Sequence, residues 1–161
     1  MFDKKTILIT GGTGSFGQKF TERLFTKHNP KKVIILSRDE YKQYEMAKTF
    51  PDDKYEIRYF LGDIRDRGRL FRAFEGVDYV VHAAALKQVP ALEYNQMEAV
   101  KTNVIGADNI IDAAIDAAGQ RGLAVVARAE QRMEINPRHA RQRQHDGLRH
   151  HEAVHLRFQR V

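Results

Sequence analysis

A glycine-rich run between a strand-like and a helix-like segment constrains this chain more than any other feature. Residues 10–17 read Thr-Gly-Gly-Thr-Gly-Ser-Phe-Gly, after the apolar segment Thr6–Ile9 and at the start of a helix-like segment from Phe16 to His28. Glycines permit a tight turn and a close backbone approach, and the following helix N-terminus offers unbonded N–H groups and a partial positive charge. This order predicts a site for a dinucleotide pyrophosphate.

The first 118 residues alternate between predicted strands and helices. Helices are predicted at four places: Ser15–His28, Asp39–Phe50, Asp66–Phe74 and from Glu93 or Asn95 to Ala118. Strands are predicted at four places: Thr6–Thr10, Lys32–Ser37, Tyr55–Leu61 and Asp78–Ala83, and beyond residue 118 Leu123–Ala127 is a candidate for one more. Strands separated by helices at this rhythm predict an α/β fold with a Rossmann-like, doubly wound parallel sheet. We expect the apolar face of the last helix to remain partly exposed, because further elements that would cover it are missing.

The composition excludes several classes of protein. No cysteine is present, so the sequence excludes disulfides, thiolate catalysis and cysteine–zinc sites. No apolar run approaches the 18 or so residues of a membrane span, and the N-terminus leads into a strand rather than a signal peptide. We therefore expect a cytoplasmic protein without a membrane span.

The basic character of the chain lies in its last 43 residues. Residues 1–118 hold 18 basic and 17 acidic side chains, whereas residues 119–161 hold 9 arginines, 4 acids and no Lys, Ser, Thr or Tyr. A GC-rich gene read out of frame gives such a composition. We therefore expect a partial, C-terminally truncated dinucleotide-binding domain at 1–127 and an atypical Arg/His-rich tail at 128–161, frame-shifted or disordered. The tail histidines predict no metal site, and without an aromatic platform the arginines predict no specific nucleic-acid recognition.

Candidate ligand-binding residues follow the second predicted strand. In a dinucleotide fold this point meets the adenosine ribose, where an acid binds the 2′-hydroxyl and an arginine accommodates a 2′-phosphate. Arg38 comes directly after Ser37 and before Asp39, which favours NADP. Lys42, one turn later, offers a second cation. The alternatives are a surface arginine, a helix-capping Asp39 and a lysine on a solvated helix face.

Further candidates follow the third and fourth strands and lie in the last helix. The Asp63 carboxylate can accept a hydrogen bond from an adenine amino group, and the alternative is a turn residue. Residues 83–85 are alanines, small enough for a cofactor to lie against the backbone, although they could also simply pack. Lys87 is a candidate for contact with ribose, nicotinamide or a substrate phosphate, or else a solvated lysine. Asn103 is a candidate for hydrogen bonds to the backbone of the next layer, and the alternative is an exposed asparagine on the helix.

Taken together, five motifs resemble the extended short-chain dehydrogenase/reductase superfamily over residues 4–118. They are the glycine run, Ser-Arg-Asp-Glu, Gly-Asp-Ile-Arg-Asp, His-Ala-Ala-Ala-Leu-Lys-Gln-Val-Pro and Lys-Thr-Asn-Val-Ile-Gly. The fourth motif, at His82–Pro90, narrows the resemblance to the inverting UDP-N-acetylglucosamine 4,6-dehydratases of bacterial polysaccharide biosynthesis. These enzymes oxidise C4 of the sugar with NADP, eliminate water across C5–C6 and return the hydride to C6 with inversion at C5.

The resemblance implies a role for each matching residue. The turn residues would hold the pyrophosphate, namely Gly11, Thr13, Gly14, Ser15, Phe16 and Gly17. Ser37, Arg38 and Lys42 would hold the 2′-phosphate, and Asp63 and Ile64 would flank adenine. The nicotinamide side would be lined by Ala83, Ala84, Ala85 and Lys87, with Asn103 supporting that wall.

The sequence departs from the family after residue 118. The family places a Thr/Ser-Asp-Lys element and a Tyr-x-x-x-Lys element after the fifth strand, and its tyrosine is the base for the C4 hydroxyl. In this chain the last tyrosine is Tyr94 and the last lysine is Lys101, so no catalytic residue can be named. Three hypotheses remain: the cofactor-binding half of a UDP-N-acetylglucosamine 4,6-dehydratase with a family-type homo-oligomer, a non-catalytic NAD(P)-binding module, and a non-functional truncated or frame-shifted product.

Overall fold

Five parallel strands form one sheet in the order β3-β2-β1-β4-β5. A computed structural model describes residues 1–121 and 125–128. The strands are β1 (Thr6–Thr10), β2 (Lys32–Ser37), β3 (Ile57–Leu61), β4 (Tyr79–His82) and β5 (Val125–Arg128). β1 is central, with Thr10 in register with Leu36 of β2 on one side and His82 of β4 on the other. The predicted tail beyond Arg128 lies outside the described residues.

The sheet buries an apolar layer on each face. Alternate residues of a strand point to opposite faces, so Leu8 and Ile34 join one cluster while Ile7 and Ile35 join the other. Helix residues complete the first cluster (Leu70, Ala73, Ile110 and Ala113) and the second (Leu24 and Met46). Helices therefore cover both faces, and the predicted doubly wound Rossmann-like fold is confirmed.

The first three helices begin close to their predicted positions. They are α1 (Ser15–Lys27), α2 (Glu40–Thr49) and α3 (Arg67–Ala73). Asp39 caps α2, since its Oδ1 accepts a hydrogen bond from Lys42 N at 2.9 Å. Asp66 caps α3 in the same way, accepting from Arg69 N at 2.9 Å. Both aspartates satisfy a backbone N–H group that has no partner within its helix.

The long helix predicted up to Ala118 is instead a succession of segments. A separate short helix that the sequence did not predict, α4 (Val89–Tyr94), precedes it. The predicted range itself divides into α5 (Gln96–Val100), a π-helical turn (Lys101–Ile105) and α6 (Gly106–Arg121). Within the described residues, no helix is long and apolar enough to cross a membrane.

α6 packs one face on the core, and α5, the π-helical turn and α6 together leave an apolar face exposed. Gly106, Ile110 and Ala113 are buried. The side chains of Met97, Val100, Val104, Ile111 and Ile115, called here the exposed stripe, are 38–66% exposed. The expectation of a partly exposed apolar face is therefore confirmed.

Candidate dinucleotide site

The predicted site residues lie at the carboxyl edge of the sheet, where the strand order reverses. β2 and β3 lie on one side of β1, whereas β4 and β5 lie on the other. The chain after β1 therefore leads to one side of the sheet and the chain after β4 to the other. Open parallel sheets bind ligands at such a point, outside the carboxyl ends of the strands, and this region is called here the crevice. The glycine run follows β1, and the three alanines follow β4.

The glycine turn needs its glycines for backbone conformation and for close packing. Gly11 has a φ of 64°, in the region that side chains disfavour, and a Cβ there would lie 2.8 Å from Ala84 N and Cα. A Cβ on Gly17 would lie 2.3 Å from Gly12 O. The β4 loop and the first turn of α1 are thus both packed directly against the glycine backbone.

The N-terminus of α1 emerges from this turn with unbonded donors. Gly14 is the N-cap residue and is exposed, and the helix ladder begins with the bond from Gln18 N to Gly14 O at 2.9 Å. The N–H groups of Ser15, Phe16 and Gly17 precede that bond and have no partner within the helix. Three N–H groups at the positive end of a 13-residue helix suit a pyrophosphate.

Thr13 and Ser37 join the glycine turn to the end of β2. Both side chains are buried, and their hydroxyl oxygens lie 3.0 Å apart. The Ser37 Oγ also accepts a hydrogen bond from Asp39 N at 3.2 Å. Thr13 and Ser37 therefore form the packed floor between the two turns and hold the backbone that carries Arg38.

Arg38 and Asp63 approach each other where the loops after β2 and β3 meet at the sheet edge. Arg38 Nη1 lies 3.9 Å from Asp63 Oδ2, and the arginine side chain is 54% exposed. Lys42 is exposed and pairs with Asp39 at 3.6 Å. The structure thus brings the predicted arginine and adenine-side carboxylate together, while the Lys42 ammonium lies beside the cap of its own helix.

Asp63 is ionised and held by its neighbour Arg65. Its Oδ1 accepts from Arg65 N at 3.0 Å, and its Oδ2 accepts from Arg65 Nε and Nη2 at 3.0 and 2.7 Å. Partial burial alone would raise the pKa of this carboxyl, but the hydrogen bonds from Arg65 and the charges of Arg65 and Arg38 lower it below its usual value. A fixed carboxylate at this position can accept a hydrogen bond from an amino group.

The loop that carries Asp63 is attached to the helices behind it. Ile64 is buried, and its side chain packs so closely on Gly106 that a Cβ there would lie 2.7 Å from Ile64 Cδ1. Asn109 Nδ2 donates to Ile64 O at 3.2 Å, and Arg65 Nη1 donates to Glu98 at 2.7 Å. Contacts with α5 and α6 therefore hold this loop in position at the sheet edge.

Asn103 fixes the other wall of the crevice. In the π-helical turn its Oδ1 accepts from Leu86 N at 2.8 Å, and its Nδ2 donates to Leu86 O at 2.9 Å. Ala83 and Ala84 are half-buried along this wall, whereas Ala85 and Lys87 are exposed. Asn103 thus supports the loop that continues from the alanines. At the glycine turn, Phe16 is 42% exposed, and its ring stacks on that of Phe20 with 5.7 Å between the ring centroids.

Three buried polar side chains beneath the crevice were not predicted from the sequence: the hydrogen-bonded pair Thr10 and His82, and Gln43. Thr10 Oγ1 and His82 Nδ1 lie 2.7 Å apart, joining the ends of β1 and β4. Gln43, on α2, donates to backbone oxygens of β2 and β3. The parallel ends of the strands predict that residues 10 and 82 are neighbours, whereas nothing in the sequence marks Gln43. Among the described residues, no group of three or more His, Asp or Glu side chains could hold a metal ion.

Comparison with known proteins identifies relatives of this chain. The family described as polysaccharide biosynthesis protein matches residues 7–127. The inverting UDP-N-acetylglucosamine 4,6-dehydratase of Campylobacter jejuni is 56% identical over 116 residues, covering 72% of this chain and 34% of that enzyme. A UDP-glucose 4-epimerase of Rickettsia massiliae is 47% identical over 119 residues, again covering 72% and 34%. The chain thus spans about a third of the length of these curated relatives.

A solved structure shares the fold and holds a dinucleotide. The dTDP-glucose 4,6-dehydratase DesIV of Streptomyces venezuelae, with NAD and TYD bound, superimposes with a TM-score of 0.63 at 32% identity, covering 70% of this chain and 36% of that one. The similarity therefore extends over most of the described residues but little more than a third of the enzyme.

Proposed function

The chain belongs to the polysaccharide biosynthesis protein family, and from that premise we propose that it is the NADP-binding part of a sugar-nucleotide 4,6-dehydratase acting on UDP-N-acetylglucosamine. The similarity to the Campylobacter jejuni enzyme over 116 residues supports the substrate and the reaction. The observation that carries the proposal is the glycine turn, where Gly11 packs on the backbone of Ala84 below the unbonded N–H groups of α1.

The residues present fit a dinucleotide. The α1 N-terminus would bind the pyrophosphate, the Asp63 carboxylate would accept a hydrogen bond from the adenine amino group, and the alanines after β4 would let the nicotinamide lie against the backbone. When bound, the nicotinamide would accept a hydride from the sugar and return it. The protein would supply orientation: Thr13 and Ser37 hold the floor, and Asn103 holds the wall at Leu86.

Arg38 supports NADP over NAD. Its guanidinium is half-exposed at the end of β2, where the adenosine ribose binds in such folds, and an arginine there accommodates a 2′-phosphate. A guanidinium offers two parallel N–H donors to phosphate oxygens, so the bond is directional as well as ionic. Lys42 would add positive charge one helical turn away.

Dinucleotide titration tests the cofactor assignment. We expect wild-type protein to bind NADP more tightly than NAD in isothermal titration calorimetry. Arg38→Glu should weaken NADP binding by about 10–100-fold, since a charge-assisted hydrogen bond contributes about 1.5–3 kcal/mol, with little effect on NAD. Arg23→Glu, an equal change of charge on the exposed side of α1, is the control. Unchanged NADP affinity in Arg38→Glu would contradict the assignment.

Turnover by this chain is a separate question. Residues 119–161 contain no Tyr or Lys, so no Tyr-x-x-x-Lys element follows the fifth strand, where the family has it. We therefore propose that the chain binds the dinucleotide without completing the dehydration. Incubation with UDP-N-acetylglucosamine and NADP should give no 4-keto product by mass spectrometry. Formation of that product would show that the general base lies elsewhere. Failure to bind either dinucleotide would instead favour a non-functional product over a cofactor-binding module.

A further inference from the structure

Gln43 joins the ends of two strands that carry the adenosine side of the crevice. The residue lies on α2, and its side chain is buried at 7% exposure. Its Nε2 donates to Ser37 O at 2.9 Å and to Phe60 O at 3.1 Å. Because both partners are carbonyl oxygens, only the amide nitrogen can face them, and this fixes the orientation of the amide. One side chain on α2 therefore bonds the last residue of β2 and the penultimate residue of β3.

Ser37 is hydrogen-bonded through both its carbonyl oxygen and its hydroxyl group. Its carbonyl oxygen also accepts from Gly62 N at 3.1 Å, while its hydroxyl contacts Thr13 Oγ1 and Asp39 N. Gln43 is the member of this network that also bonds β3. It therefore bonds both strands at the end of their ladder, where Ser37 is in register with Leu61, the residue after Phe60.

The positions of Gln43's partners connect it to ligand selection. Arg38 follows Ser37 directly, and Asp63 follows Phe60 by three residues. Arg38 Nη1 and Asp63 Oδ2 lie 3.9 Å apart, so a small shift between the strand ends would change how both meet one adenosine. A 2′-phosphate is sensitive to such a shift because its bonds to a guanidinium are directional.

We propose that Gln43 is a positioning residue that favours a 2′-phosphorylated dinucleotide by fixing Arg38 relative to Asp63. The proposal rests on the proposed function, since it concerns the same crevice. An apolar side chain would satisfy the packing at this position. A buried amide costs free energy unless its hydrogen bonds are made, so the bonds to Ser37 and Phe60 are what an amide contributes here. Met46, one turn further along α2 and 3% exposed, fills the core on the same side without such bonds.

Paired substitutions on α2 separate positioning from stability. Gln43→Met keeps the volume of the side chain but removes the donor, and Met46→Val, which removes apolar volume from the same helix, is the matched control. The dissociation constants of NADP and NAD are measured for the full chain and both variants. We expect Gln43→Met to lower the preference for NADP over NAD by about 3–10-fold, the effect of one or two lost hydrogen bonds. Met46→Val should leave that preference unchanged.

Amide hydrogen exchange gives a second readout that needs no ligand. Peptides covering residues 36–40 and 60–64 should exchange faster in Gln43→Met than in wild type, because Gly62 N and Asp39 N bond the Ser37 that Gln43 holds. Should Gln43→Met not fold, Gln43→Asn keeps the donor on a shorter side chain that cannot reach both carbonyls, and it should show the same loss of preference.

The outcomes distinguish this proposal from the function on which it rests. A folded Gln43 variant with an unchanged NADP preference would overturn the positioning role, as would unchanged exchange at residues 36–40 and 60–64. If the wild-type protein binds neither dinucleotide, the proposed function itself is overturned. The exchange measurement would then test only whether Gln43 holds the ends of β2 and β3 together.

Discussion

Replacing Gly17 by alanine separates two opposite effects of a helical glycine. Alanine has the higher helix propensity, so in an exposed helix the change stabilises by about 0.5–1 kcal/mol. Gly17 lies in the first turn of α1 but is buried against the glycine turn. An added Cβ would lie 2.3, 2.4 and 2.5 Å from O, Cα and C of Gly12, compared with 3.4–4 Å for ordinary contacts.

The magnitude follows from which atoms would have to move. All three are backbone atoms of a turn fixed by its bonds from Gly11 N to Leu36 O and from Gly14 N to Gly11 O. Overpacking of this kind costs typically about 1–3 kcal/mol, which exceeds the gain in helix propensity. We therefore expect a net loss of about 1–2 kcal/mol, and with a urea m-value of about 1–2 kcal/mol/M the midpoint should fall by about 1 M.

Urea unfolding of the full chain, followed by far-ultraviolet circular dichroism, checks this prediction. Gly68→Ala is the matched control, because Gly68 is an exposed glycine in the first turn of α3 and a Cβ there meets only Asp66 Oδ1 at 3.6 Å. Gly68→Ala should raise the midpoint. A raised or unchanged midpoint for Gly17→Ala would refute the packing argument.

Three further predictions concern other parts of the fold. Asn103→Leu leaves Leu86 N–H and C=O without their partner and should lower the free energy of unfolding by about 1–3 kcal/mol in urea titrations. Partial burial alone would raise the pKa of the Asp78 carboxyl, but the hydrogen bonds that it accepts from Thr6 N and Lys5 outweigh this effect and lower the pKa. The stability it contributes is therefore present above the ordinary pKa of about 3.9 and is lost as pH falls below it. The advantage of wild type over Asp78→Asn in the free energy of unfolding should shrink as the pH is lowered from about 5 to about 3. The exposed stripe should cause self-association in sedimentation velocity, relieved by Val104→Lys, and a monomeric wild type would contradict this.

The strands at the centre of the sheet were predictable because each is a continuous apolar run. β1 and β2 have the predicted bounds, since a strand buried on both faces shows its limits where the apolar residues stop. β3 begins at Ile57 rather than Tyr55. Tyr55 N bonds Pro51 O in a turn, and its ring packs on Phe25, so an aromatic residue next to a strand belongs to the core without joining the ladder.

The segment between β4 and α6 was less predictable because distant contacts shape it. Pro90 in the first turn of α4 was a usable signal, as proline is favoured at helix starts. The π-helical turn has no comparable local signal, and it places Asn103 against Leu86 and Gly106 against Ile64. The candidate residues could be named from strand ends and resemblance, but the contacts of Gln43 join three elements and leave no trace in local sequence.

The central position of β1 determines when the crevice can exist during synthesis. Its contacts with β4, such as the bond between Thr10 and His82, join residues 72 positions apart, whereas β1 and β2 pair across a much shorter loop. Pairing over so long a separation forms slowly, because the intervening chain must be closed first. A nascent chain that has emerged only as far as α3 therefore has a glycine turn but no opposite wall. The proposed dinucleotide binding should therefore become possible during translation only once β4 has left the ribosome and packed beside β1.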